Sequence, residues 1–172
     1  MTDWYHQYII DGKPTTNRPF MNEEIFSQLF PIFPENLKGK VVLDLACNAG
    51  FVSFKLAQRG ARVYGIDCNE SYIDQANYAM EKLSLPRVRF FILDVENIEP
   101  SFYNPHLIVA LSMVYHLHDP KAFVKKICDV GCDIVTSFRL NLYDHYIKMF
   151  TDFGRQVVKE VDYAKKRAAL IR

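Results

Sequence analysis

The chain has 172 residues and a mass of 20.0 kDa, a length that fits one domain. Hydrophobic residues make up 49% of it, which supplies a sizeable core and excludes a disordered chain, and the net charge of +1 gives no overall attraction to nucleic acid or membrane. The charge is uneven, because residues 121–172 hold 11 basic and 6 acidic residues. This excess is a mild indication of an anionic partner near the C-terminal part, although a solvated charged face gives the same pattern.

The sequence shows neither a membrane or signal segment nor a typical zinc-binding cysteine pattern. No apolar run reaches the ~18 residues of a membrane span, and the first residues, MTDWYHQYII, lack the layout of a signal peptide, so a cytoplasmic protein without a membrane partner is predicted. The cysteines are Cys47, Cys68, Cys128 and Cys132, and the last two form a C-x3-C pair. Zinc usually takes a tighter C-x2-C and a second pair, so all four are predicted to be reduced thiols and no metal is expected.

Strands and helices alternate along most of the chain. Apolar runs predict strands at 40–45, 61–66, 88–93, 107–112 and 132–137, and a final antiparallel pair at 156–161 and 168–171. Helices are predicted at 22–30, from Phe51 to Gly60, from a Ser71 cap to Pro86, after an Asp119 cap, and at 141–150.

This order predicts an α/β fold: a doubly wound, mainly parallel Rossmann-like sheet with an antiparallel C-terminal strand pair and helices on both faces. Residues 1–36 are predicted to be an N-terminal segment that covers the substrate site, and residues 37–172 the main domain. We refer to residues 1–36 as the N-terminal segment.

Four polar residues fall at predicted strand ends, namely Asp44, Asp67, Asp94 and Ser112. In doubly wound sheets ligands bind at the carboxyl ends of the strands, so one crevice is expected to collect these side chains. Each acid alone would more often cap a helix. Together, separated by a loop and a helix, they favour a cofactor site.

The loop between the first two of these acids indicates which cofactor. It reads ACNAG, in which Gly50 leaves the backbone open and Asn48 tolerates a left-handed conformation. Asp67 follows Gly50 by 17 residues, the spacing at which an acid accepts hydrogen bonds from ribose hydroxyls. A dinucleotide site would need G-x-G-x-x-G, whereas this loop has one glycine and the acid Asp44 before it. Asp44 would repel a pyrophosphate and suit a cationic end, as in S-adenosylmethionine.

The stretch VVLDLACNAGFVSFKLAQRGARVYGID resembles motif I and its continuation in class I S-adenosylmethionine-dependent methyltransferases, and the resemblance covers roughly residues 37–172. It implies that Asp44 and the loop residues Ala46, Cys47, Asn48 and Gly50 lie near the methionine part of the cofactor. It also implies that Asp67 and the adjoining Cys68 lie at the ribose, Asp94 and Val95 at the adenine, and Leu111 and Ser112 near the methionine end.

The stretch LSMVYHLHDP is similar to one in the wobble-uridine tRNA methyltransferase-like group, and WYHQY is faintly similar to that group's N-terminal region. Ala46 departs from the family's usual first glycine, and a long basic N-terminal extension is not seen. The cofactor is therefore carried over and the tRNA substrate is not. A tRNA- or RNA-modifying methyltransferase stays an alternative.

Two residues after the fourth long strand are the predicted catalytic pair. His116 would take a proton from a hydroxyl or protonated nitrogen, since imidazole changes charge near neutral pH, and Tyr115 would orient the acceptor. His116 would equally serve to hold a neighbouring loop, and His116 with His118 lacks the third ligand of a metal site.

The predicted function is methyl transfer from S-adenosylmethionine to a small molecule, or to a macromolecule presented by a partner subunit. A homo-oligomer is also compatible with the sequence. Two rivals stay open: a non-catalytic S-adenosylmethionine-binding module that activates a partner, and a nicotinamide-dependent oxidoreductase, which Asp44 and the missing glycines disfavour.

Overall fold

The computed structural model describes residues 4–17, 21–85 and 87–172. The N-terminal segment holds a short hairpin of β1 (Ile9–Ile10) and β2 (Lys13–Pro14), followed by α1 (Glu23–Leu29), which the Asn22 side chain caps. The strands of the main sheet are β3 (Val41–Leu45), β4 (Arg62–Asp67), β5 (Val88–Ile92), β6 (Leu107–Leu111), β7 (Asp133–Arg139), β8 (Val157–Tyr163) and β9 (Lys166–Ile171). The helices between them are α2 (Phe51–Gln58), α3 (Glu70–Lys82), α4 (Pro120–Asp129) and α5 (Tyr143–Asp152).

The seven-stranded sheet has the order β5-β4-β3-β6-β7-β9-β8. The first five strands in this order are parallel, and β9 runs antiparallel to both of its neighbours. The predicted fold is confirmed. The order reverses between β3 and β6, because the chain first builds outward to β5 and then returns. A crevice therefore opens at the carboxyl ends of β3 and β6.

Apolar side chains alternate along the central strands and form two cores, one on each face of the sheet. Val42, Val63 and Val109 face a cluster that includes α1, α2 and part of the N-terminal segment. Leu43 and Ile108 face the opposite cluster, which includes α4 and α5. Strands that are covered on both faces need apolar residues at nearly every position, which explains the continuous apolar runs of the sequence.

The predicted element ends differ from the structure at several places. The cap of α3 is Asn69, whose side chain accepts a hydrogen bond from the Tyr72 amide, and the prediction of Ser71 was wrong. The predicted end of that helix, Pro86, lies outside the described residues. Helix α5 begins at Tyr143, two residues later than predicted, because a single 3-10 turn over Leu140–Leu142 precedes it.

The C-terminal hairpin is longer than predicted. Its turn consists of Ala164 and Lys165, with φ angles of 42° and 63°. Two-residue hairpin turns need these positive angles, and Gly or Asn usually supplies them. Because neither residue is present, the sequence predicts a longer turn, between residues 161 and 168. Lys166 is therefore missed as the first residue of β9.

None of the described helices is long and apolar enough to cross a membrane. All four cysteines are unpaired. Among the residues that the structure describes, no group of three or more potential ligands is arranged to hold a metal ion.

Candidate active site

The loop that follows β3 begins beside a buried acid. Asp44 is only 3% exposed, and its Oδ2 atom accepts a hydrogen bond of 2.5 Å from the Ser53 hydroxyl on α2. Burial raises the pKa of Asp44 to about 7, the Ser53 hydrogen bond lowers it, and the charge of Asp67 raises it further. No cation is among these influences. The carboxyl is therefore costly to ionise in the protein alone, and a ligand with a cationic group would offset that cost.

Residues 46–50, which we call the cofactor loop, turn through three left-handed residues. The φ angles of Ala46, Asn48 and Gly50 are 54°, 50° and 81°. Ala46 therefore occupies a position that favours glycine, at a cost of roughly 1–2 kcal/mol. The Asn48 side chain offsets part of this cost by donating a 3.0 Å hydrogen bond to the Ala46 carbonyl.

Gly50 is required by packing as well as by its backbone angle. A Cβ atom built on it would lie 2.5 Å from Cζ of Phe90, and a Cβ on Gly65 would lie 2.5 Å from Cδ1 of the same ring. The Phe90 ring thus fills the space that two glycines leave between the cofactor loop and β4. This contact is a steric reason for glycine that the sequence did not indicate, and the place of Gly50 at the cofactor stays a prediction.

Asp67 is the last residue of β4, and both of its carboxylate oxygens are oriented by backbone amides. Oδ2 accepts from the Asn48 amide and Oδ1 from the Asn69 amide, each at 2.9 Å. The acid therefore anchors the cofactor loop. Each oxygen keeps a lone pair for a further donor, as binding of two ribose hydroxyls would require.

A cavity of about 90 Å³ lies at the carboxyl ends of β3 and β6. Six predicted site residues line it, namely Asp44, Ala46, Cys47, Asn48, Leu111 and Ser112. Asp67 adjoins it through its hydrogen bond to Asn48. Six further lining residues were not predicted as site residues, namely Tyr5, His6, Met21, Val52, Tyr163 and Lys166.

The N-terminal segment forms one side of this cavity. The buried His6 ring accepts a 3.2 Å hydrogen bond at Nδ1 from the Phe51 amide, the first of α2, and burial lowers the His6 pKa to about 3. The Tyr8 hydroxyl donates to the Ala49 carbonyl, and the Tyr5 amide donates to Oε1 of Gln75 at 3.2 Å. The aromatic stretch WYHQY was the only signal of this role. A single histidine or tyrosine gives no indication of a partner more than 40 residues away.

The other predicted cofactor residues lie outside the lining of the cavity. Asp94 is exposed and closes its own turn by accepting from the Glu96 amide at 2.9 Å, while Val95 is buried in the core. Cys68 is exposed next to Asp67. Their places at the adenine and ribose stay predictions.

His116 ends a 3-10 turn, Val114–His116, that follows β6. Its ring packs on Tyr115 with centroids 4.4 Å apart, and it is exposed. Neither residue lines the cavity described above. In the part of the chain that the structure describes, the His116 imidazole makes no hydrogen bond that would hold a loop, so its nitrogens are available. His118 instead places its Nδ1 atom 3.4 Å from Oε2 of Glu96.

The fold and the crevice define a Rossmann-like domain whose switch point carries two acids around a tight loop. The chain belongs to the methyltransferase domain family, whose model matches residues 42–132, more than half of its length. The predicted methyltransferase class is confirmed at the level of this domain family.

Curated relatives match the same part of the chain. Two ubiquinone biosynthesis O-methyltransferases, from Coxiella burnetii and a Methylobacterium species, are 35% identical over 89 residues and 33% identical over 98 residues. These matches cover 52% and 57% of this chain. The matched part spans 38% and 39% of the relatives' own lengths.

Solved structures support the fold. An S-adenosylmethionine-dependent methyltransferase from Aquifex aeolicus superposes with a TM-score of 0.69 at 18% identity. The superposition covers 84% of this chain and 87% of the Aquifex chain. A magnesium protoporphyrin IX methyltransferase from Synechocystis was solved with bound S-adenosylmethionine and superposes with a TM-score of 0.68 at 21% identity. The superposition covers 86% of this chain and 75% of the Synechocystis chain.

Asp44 should make the free energy of unfolding decrease as the pH rises. Its pKa is raised from the ordinary value of 3.8 to about 7, so between these values the folded chain holds a proton that the unfolded chain has released. The stabilisation is complete below the lower value and is lost as the pH passes the upper one. Denaturant unfolding at about pH 5 and about pH 8 measures the difference. Asp44→Asn should remove this component, and an unchanged pH dependence in that variant would contradict the assignment.

Proposed function

We propose that this chain transfers the methyl group of S-adenosylmethionine to a hydroxyl group of a small-molecule acceptor. The observation that carries the proposal is the buried Asp44 carboxyl, which has no cation among the groups that shift its pKa and lies beside the loop that Asp67 anchors. S-adenosylmethionine would supply a methyl group on a cationic sulfonium. The names of the curated relatives support oxygen as the acceptor atom.

In this proposal each residue has a separate task. Asp67 accepts hydrogen bonds from the ribose, Asp44 faces the cationic methionine end, and the cofactor loop and Ser112 position the reacting groups between them. His116 takes the acceptor proton, and Tyr115 orients the acceptor. Positioning supplies most of the rate enhancement, because the methyl group is already activated.

We also propose that the N-terminal segment, residues 1–36, is a lid on the substrate site of residues 37–172 and moves to admit ligands. The hydrogen bonds of His6 and Tyr8 to residues 49–51 support this role. A cytoplasmic location is part of the proposal, since four unpaired cysteines are typical of a reducing compartment.

A methyl-transfer assay with labelled S-adenosylmethionine tests the function. We expect label in small phenols and other hydroxyl compounds, and not in protein-free RNA. Label in RNA would instead support the tRNA-modifying alternative, for which LSMVYHLHDP is the supporting stretch. Tight cofactor binding without transfer to either pool would favour a non-catalytic module that acts on a partner.

A further inference from the structure

Two cations stand side by side at the edge of the crevice. Lys166, the first residue of β9, is partly buried and lines the cavity at the carboxyl ends of β3 and β6. In the register of the sheet it lies opposite Arg139, the last residue of β7, and on its other side opposite Tyr163 of β8. Arg139 is exposed. The pair thus extends from the cavity to the surface.

Neither cation has a compensating acid. Within the described part of the chain, the Lys166 ammonium and the Arg139 guanidinium make no hydrogen bond or ion pair. Other cations of the C-terminal part are paired with acids, namely Lys125 with Asp129, Lys148 with Asp152, Arg167 with Asp162 and Arg172 with Asp133. Lys166 and Arg139 therefore place two positive charges without an acid partner side by side at the crevice.

The protein itself gains nothing from this arrangement. Burial lowers the pKa of Lys166, and the charge of Arg139 lowers it further. Like charges directly opposite each other on neighbouring strands are destabilising. A bound anion would reverse both effects, because it would pair with the two cations in a partly desolvated site.

Hydroxyl groups continue the site toward the cofactor loop. The Tyr163 hydroxyl and Ser137 Oγ are 2.7 Å apart, and Ser137 Oγ and Ser112 Oγ are 3.1 Å apart. Tyr163 and Ser112 line the same cavity as Lys166. The chain of hydroxyls joins the carboxyl end of β6 to the cation pair, and its two ends, Ser112 and Tyr163, face the cavity.

The strand order places the cation pair away from the two acids. Asp44 and Asp67 belong to β3 and β4, whereas Lys166 belongs to β9, three strands from β3. At about 4.8 Å between neighbouring strands this separation is roughly 14 Å. The acids and the cations therefore lie on opposite sides of β6, where the methyl group is expected to be transferred.

We propose that Lys166 and Arg139 bind a carboxylate group of the methyl acceptor. The inference rests on the proposed methyl transfer, because it places the acceptor on the side of β6 that faces away from Asp67. The acceptor is thus a hydroxyl compound that carries a carboxylate, and Lys166 determines this specificity. The carboxylate of the cofactor's own methionine part has the same chemistry, so the test must separate the two sources.

The test uses the full chain saturated with S-adenosylhomocysteine, titrated calorimetrically with matched pairs of probes. Each pair consists of a hydroxylated carboxylate and its neutral amide, for example 4-hydroxybenzoate and 4-hydroxybenzamide. We expect the carboxylate to bind roughly 10- to 100-fold more tightly than the amide, as for hydrogen bonds to charged groups. Lys166→Gln and Arg139→Gln should each abolish most of that preference. Lys165→Gln, which removes the same charge from the adjacent turn residue, should leave it unchanged.

Each other outcome has a defined meaning. If the wild-type chain fails to bind S-adenosylhomocysteine, the proposed function fails before the acceptor is tested. If it binds S-adenosylhomocysteine but shows no preference for carboxylates, the acceptor inference alone is overturned. If Lys166→Gln weakens S-adenosylhomocysteine binding by the same factor as carboxylate binding, the cations hold the cofactor, which also overturns the inference. Lys166→Gln should melt no lower than wild type, so loss of folding would not account for lost binding.

Discussion

Asp67→Ala should weaken the binding of S-adenosylmethionine by about 2–4 kcal/mol, or roughly 30- to 1,000-fold. The variant loses the acceptor of two expected ribose hydrogen bonds. It also releases the amides of Asn48 and Asn69, which the Asp67 oxygens hold at 2.9 Å, so the cofactor loop loses its anchor. Calorimetric titration with the cofactor measures the change.

The companion variants make this experiment specific. Asp67→Asn should fall between wild type and Asp67→Ala, because one amide oxygen still accepts while the NH₂ group faces a backbone N–H. Asp74→Ala serves as the control, since Asp74 is an exposed acid on the following helix, α3. Unchanged cofactor affinity in folded Asp67→Ala would remove the ribose assignment.

His116→Ala should lower the rate of methyl transfer by roughly 10²- to 10⁴-fold, the contribution of a general base. Cofactor affinity should stay at the wild-type value, because His116 lies outside the cavity lined by the cofactor loop. Single-turnover kinetics with an identified acceptor measures the rate.

His118→Ala is the matched control for this experiment. His118 lies two residues away, is exposed and is engaged with Glu96, so its removal should leave the transfer rate unchanged. If His116→Asn transfers methyl groups at the wild-type rate, the base assignment is wrong and positioning alone accounts for catalysis. Parallel loss of melting temperature and cofactor affinity would instead indicate a structural role.

The central fold was predictable because its signals are local. A strand that is covered on both faces must be apolar throughout, and each parallel crossover needs a helix, so β3 to β7 are evident in the sequence. Asp44, the cofactor loop and Asp67 could be predicted as neighbours for the same reason, since they lie within 24 residues of one another. Both acids adjoin the crevice in the structure, as their strand ends indicated.

The missed residues depend on contacts between distant parts of the chain. His6 is recognisable only when its ring is seen at the start of α2, and Lys166 only when β9 is placed beside β7. The Ala164–Lys165 turn hid the start of β9, because residues other than Gly and Asn rarely adopt its angles. Pattern and spacing report such long-range pairings poorly, since they describe one element at a time.

The contacts of the N-terminal segment have a consequence for the speed of ligand exchange if this segment is the proposed lid. Cofactor sites usually enclose about 300–1,000 Å³. The cavity beside Tyr5, His6 and Met21 measures about 90 Å³, so the proposed binding of a nucleoside cofactor requires the segment to move. This movement would break the hydrogen bonds of His6 and Tyr8 to the start of α2 and to the cofactor loop. The association rate would then level off as the cofactor concentration rises, and release of the spent cofactor would proceed at the frequency of this movement.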